Sequence, residues 1–110
     1  MKKNERVKSN ILFNEIINKG TKVSNSMFSI FFISKNDNNP LFGIAAPKKL
    51  GNAVIRNRVK RQTRALVDNN KLLFKNNRNY IIIVKEKFLN SSYADKEGLL
   101  QDLIGEANEK

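Results

Sequence analysis

The chain contains neither cysteine nor histidine. Without cysteine there is no disulfide framework and no thiolate metal site, a pattern that fits a reducing compartment. Without histidine, the usual zinc sites, the Cys-His and Ser-His nucleophile pairs and the commonest general base are also excluded. Proline occurs only at Pro40, within a turn-forming stretch, and at Pro47. No segment approaches the roughly 18 uninterrupted apolar residues of a membrane span. The basic start, Met1 to Lys8, leads into no apolar run, so no signal peptide is expected. The carboxylates form no convincing pair: Asp37 falls in a turn, and most of the others fall on a terminal helix. These absences leave no independent hydrolytic site.

What remains is charge of one sign. The 110 residues carry a formal net charge of +11, and their number suits one domain, 1–110, with a single core. Such a surplus favours a polyanion as partner. Four of the six arginines lie between Arg56 and Arg64, whereas fourteen of the sixteen basic residues outside that stretch are lysine. Arginine presents a planar fork of donors that matches phosphate oxygens; lysine is a solvated point charge. From Lys48 to Arg64 there are seven positive side chains and no acidic one.

The pattern along the chain predicts alternating helices and strands. Residues 1–8 read as a mobile basic arm. Ser9 or Asn10 can cap a helix carrying Leu12, Phe13, Ile16 and Ile17, with Gly20 supplying a left-handed turn at its end. Residues 26–34 and 41–46 read as strands, the second stopped by Pro47. The apolar run Tyr80 to Val84 predicts a strand buried on both faces, near the middle of a sheet. Ser92 is expected to cap a last helix with Leu99, Leu100, Leu103, Ile104 and Ala107 on one face. This helix is acidic for its chain (Asp95, Glu97, Asp102, Glu106 and Glu109), so it is expected to face away from a polyanion.

Asn52 or Gly51 can open a helix running to about Val67. At about 100° per residue, Ile55, Val59, Gln62 and Leu66 share one arc, and Arg56, Lys60 and Arg64 lie opposite, with Arg58 and Arg61 on the flank. Most charged helix faces are simply solvated. Here, however, neighbouring charges are all positive, which costs helix stability and is relieved by a polyanion. No first helix precedes Lys48, which disfavours a helix-turn-helix. Of the seven phenylalanines most are expected in the core, but Phe31 and Phe32 are adjacent and must point to opposite faces of a strand, leaving one for a groove.

The stretch Lys48-Lys49-Leu50-Gly51-Asn52-Ala53-Val54-Ile55-Arg56-Asn57-Arg58-Val59-Lys60-Arg61-Gln62-Thr63-Arg64 resembles the arginine-asparagine-arginine signature of the bacterial ribonuclease P protein family. Arg6-Val7-Lys8 with Phe13 and Gly20 is similar to that family's first helix, Tyr80 to Lys85 to its last strand and Tyr93 to Ile104 to its final helix. The resemblance implies an α/β sandwich: a four-stranded mixed sheet packed with helices, with a left-handed β-α-β crossover around the basic helix in place of the usual right-handed one. It implies a cytoplasmic subunit that binds a catalytic RNA and precursor tRNA, and assists removal of the 5′ leader. Catalysis would reside in the RNA and its Mg2+, with no catalytic protein residue, no protein metal site and no protein partner. By the same resemblance Lys48, Lys49, Asn52, Arg56, Asn57, Arg58, Lys60, Arg61 and Arg64 would contact RNA, and Phe13, Ile17 and Phe31 would line a leader groove. Ile17 and Phe31 stand where relatives often carry a second aromatic and a tyrosine, and Pro47 replaces a small polar residue. A general structured-RNA-binding protein, ribosomal or chaperone-like, is the alternative reading; a protein-only nuclease and a membrane-surface binder are disfavoured.

Overall fold

The computed structural model describes residues 1–110. In chain order its main elements are α1 (Asn10–Lys19), β1 (Thr21–Ser24), β2 (Phe28–Ser34), β3 (Phe42–Ala45), α2 (Ala53–Asn69), β4 (Arg78–Val84) and α3 (Tyr93–Asn108). The four strands form one mixed sheet in the order β1-β2-β4-β3. β1 with β2 and β2 with β4 are antiparallel; β3 with β4 is parallel, and α2 is the crossover between them. β4 is therefore internal, with Tyr80, Ile81, Ile82 and Val84 all buried, as its continuous apolar run predicts.

Strand alternation divides the sheet's two faces between different helices. Phe28, Ile30 and Phe32 of β2 and Tyr80, Ile82 and Val84 of β4 join α2 and α3 in one cluster of 20 buried residues. The intervening residues, Phe31 and Ile81 among them, face the other way. There α1 packs across β2 and β4 and buries Ile16 completely. Phe31 and Phe32 thus do point to opposite faces: Phe32 is in the main core and Phe31 is half-buried on the α1 side.

α1 begins after Ser9, whose hydroxyl accepts the Leu12 N–H at 3.3 Å. Gly20 ends it, but not in the expected left-handed conformation: its φ is −75°. Glycine is needed there for space, because a Cβ would lie 2.4 Å from the Ile16 carbonyl oxygen and 2.7 Å from that of Phe32. Strand β1 escaped the sequence pattern because it has only four residues and a single buried side chain, Val23.

Residues 1–8, expected as a mobile arm, are docked. The Val7 N–H donates to the Phe42 carbonyl at 3.0 Å, and Arg6 forms a parallel bridge with Phe42 at the open edge of β3. The terminal amine pairs with Asp68, and Lys71 pairs with Glu5. Long-range pairing of this kind leaves no periodic trace in eight residues.

Candidate RNA interface

The segment entering α2 is built to present cations. Leu50 is buried and anchors the single helical turn Lys48–Leu50, which leaves Lys48 and Lys49 exposed just ahead of the helix. Gly51 follows with φ 141°, the one positive φ in the chain, where a side chain would also meet Ile55 at 2.9 Å. Asn52 then caps α2, its side-chain oxygen accepting the Ile55 N–H at 3.1 Å. Asn52 is exposed but its oxygen is committed to the helix, so only its remaining donors are free for a ligand.

The buried side of α2 is Val59, Thr63, Leu66 and Val67, with Ile55 half-buried against the core; of the expected arc, Gln62 alone is exposed. Thr63 misled the sequence reading: it enters the core with its hydroxyl satisfied, donating to the Val59 carbonyl at 2.8 Å. The corrected rotation divides the cations into two sets. Arg58 and Arg61, with the neutral Asn57, are exposed on the outer side, whereas Arg56, Lys60 and Arg64 are half-buried along one shoulder. No arginine in the chain lies within ion-pairing distance of a carboxylate; the four ion pairs use the terminal amine, Lys35 and Lys71. The Nε atom of Arg56 is buried without any partner. Leaving such a donor unsatisfied costs about 1–3 kcal/mol, and nothing within the chain recovers it.

The three groove candidates lie in one layer, between α1 and the sheet. Lys22, Phe31, Ile81 and Gly43 are register partners in a row across β1, β2, β4 and β3. At about 4.8 Å per strand that row is roughly 14 Å long. Lys22 places its ammonium 5.5 Å from the centre of the Phe31 ring. At the other end, a Cβ on Gly43 would lie 2.5 Å from the end of the Ile81 side chain, so the glycine leaves room for Ile81, with Phe13 packed beside it. Phe13, Ile17 and Phe31 are each half-buried, whereas Ile16 and Ile81 beneath them are fully covered. The floor is structural and the rim is available.

A hollow of about 110 Å³ joins this cleft to the half-buried shoulder of α2; Arg6, Val7, Phe13, Gly43, Ile44 and Arg64 line it. Burial, and then the charge of Arg6, lowers the pKa of the Arg64 guanidinium. Arg6, Val7, Lys22 and Gly43 were missed as site residues. An isolated glycine within a strand was the available clue, since it marks close approach of another group. The acidic helix α3 packs on the opposite face, although its first turns touch α2: the Lys96 ammonium donates to Gln62 at 3.2 Å, and the Asn69 amide donates to the Tyr93 hydroxyl at 3.0 Å. Burial lowers the pKa of Lys96.

Residues 1–108 match the family described as Ribonuclease P. The chain belongs to the ribonuclease P protein family. The ribonuclease P protein component of Mycoplasma capricolum is 40% identical over 106 residues, covering 94% of this chain and 97% of that one. That of Clostridium novyi is 34% identical over 110 residues, covering 97% and 96%. Among solved structures, the RNase P protein of Staphylococcus aureus superposes with a TM-score of 0.83 at 29% identity, covering 96% of both chains. The Thermotoga maritima RNase P protein gives 0.81 at 25% identity, covering 91% and 96%. The mixed four-stranded sheet with three helices is thus the fold of bacterial ribonuclease P proteins. As a ribonuclease P protein component the chain is a subunit of an endoribonuclease that matures tRNA 5′ ends, and its partner is the ribonuclease P RNA.

Proposed function

We propose that this ribonuclease P subunit divides its surface between two RNAs. Lys48, Lys49, Asn52, Arg56, Asn57, Arg58, Lys60, Arg61 and Arg64 hold the catalytic RNA, and the cleft rimmed by Phe13, Ile17 and Phe31 holds the 5′ leader of precursor tRNA. The observation that carries this reading is the absence of any carboxylate partner for the α2 arginines, beside a cleft whose aromatic rim is left half-open. Arginines desolvated without acids gain most from phosphate. Half-buried rings gain from stacking on unpaired bases, by about 1–3 kcal/mol each. Ile17 offers apolar contact in place of stacking.

Bond cleavage is assigned to the RNA and its Mg2+. The exposed cations of α2 suit phosphate oxygens, so the protein's part is to bind RNA. The protein contributes binding and orientation, in the cytoplasm where tRNA precursors are made. Reconstitution tests the assignment. The catalytic RNA with this protein should cleave precursor tRNA at the leader junction faster than the RNA alone at low Mg2+, and the protein alone should be inert. Equal rates with and without protein, or cleavage by the protein alone, would remove it.

A further inference from the structure

The N-terminal segment brings a second guanidinium to the place where the cleft meets α2. We infer that Arg6 and Arg64 form a clamp for a single RNA phosphodiester, passing the strand from the Phe13 ring to the arginine helix. The inference rests on the leader-groove reading above, adds to it a residue outside the arginine signature, and moves Arg64 and Lys60, on the half-buried shoulder of α2, from the catalytic-RNA set to the leader.

Backbone pairing fixes the position of Arg6. The Arg6–Phe42 bridge and the Val7 N–H bond to the Phe42 carbonyl hold it against β3, and its guanidinium makes one long bond, 3.4 Å, to the Met1 carbonyl. Its Nε is buried with no partner. Neither arginine has a carboxylate within pairing distance. The hollow between them is walled by Val7, Phe13, Phe42 and Ile44, apolar groups that strengthen repulsion between the two like charges. The lowered pKa of Arg64, due first to burial and then to Arg6, reflects that crowding. An arrangement that only repels within the chain becomes favourable when an anion sits between the two forks. The hollow, about 110 Å³ and open to solvent on one side, has room for a phosphate group. Phe13 on one side and Lys60 along the shoulder of α2 provide places for the neighbouring base and the next phosphate.

The leader and the catalytic RNA both carry this chemistry, and the leader is the source assigned here because Phe13 lines the same hollow. The test uses the reconstituted holoenzyme and precursor tRNAs in which one leader linkage at a time is an uncharged methylphosphonate. For the unaltered protein, one linkage should weaken binding on the order of tenfold, the scale of one charge-assisted contact. The same substitution should have no effect on Arg6→Gln. On unmodified precursor, Arg6→Gln should lower the slope of log affinity against log salt by about 0.7. Mature tRNA and catalytic RNA should bind as before. Without RNA, Arg6→Gln should melt no lower than the unaltered protein, since it removes repulsion; a lower midpoint would make Arg6 a strut and overturn the clamp. Equal methylphosphonate penalties in both proteins would also overturn it, yet would leave the leader groove intact if Phe31→Ala still weakened precursor alone. If Phe31→Ala weakened precursor and mature tRNA alike, the groove and the clamp would both fail. Loss of catalytic-RNA affinity in Arg6→Gln would assign the phosphodiester to that RNA and overturn the transfer from the leader.

Discussion

Replacing Arg58 and Arg61 together by alanine separates an RNA-binding face from a solvated one. Both side chains are exposed on α2, neither has a carboxylate partner, and they are three residues apart on one helix. Removing them deletes no folded-state contact of consequence and relieves a like-charge pair, so stability should change by less than about 0.5 kcal/mol. Binding to the catalytic RNA should change much more. Each phosphate neutralised contributes about 0.7–0.9 to the slope of log affinity against log salt, so two lost contacts flatten it by about 1.4–1.8. Between about 50 and 200 mM salt, the unaltered protein should therefore lose about 7- to 12-fold more affinity than the variant over the same range. Filter binding at several salt concentrations reads the slope, and a thermal melt of each protein confirms that the fold is intact. Parallel slopes would show that these arginines face water and would refute the assignment of α2.

Gly20→Ala should destabilise the fold by about 3 kcal/mol in urea titration, because its Cβ would collide with two backbone oxygens. Arg78→Met should cost about 2–4 kcal/mol in the same assay: the buried guanidinium donates to the Ala107 carbonyl at 2.9 Å and lies 4.1 Å from the centre of the Phe32 ring. Burial raises the pKa of the Tyr80 phenol, so the unfolded chain ionises it first. Its contribution to stability should be intact below about pH 10 and decline as pH rises beyond that. Tyr80→Phe should flatten this alkaline decline, seen as a weaker fall of Tm with pH.

What the sequence made legible was the local chemistry. The Ser9, Asn52 and Ser92 caps, the apolar run of β4 and the opposed faces of Phe31 and Phe32 all follow from residue type and period. Features set by distant partners were not legible. Thr63 lies in the core because α2 packs on the distant sheet, and its hydroxyl, satisfied by the Val59 carbonyl, does not oppose that burial. Nothing near Arg78 in the chain marks it for burial; the end of α3 supplies the carbonyls that hold it. Arg6 reads as part of a loose arm until β3 offers an edge on which to pair. The cleft shows the same division. Its aromatic rim was expected from α1 and β2 separately, but the Lys22–Phe31–Ile81–Gly43 row exists only through strand order and register.

The division of labour between the arginine helix and the cleft is tested most directly by one binding ratio. The affinity of the catalytic RNA for precursor tRNA and for mature tRNA should be measured with and without this protein, at fixed salt and Mg2+. The protein should tighten precursor binding at least tenfold, the scale of one or two stacked bases and a phosphate contact, and leave mature tRNA nearly unchanged. Equal tightening of both RNAs would contradict a leader-binding cleft.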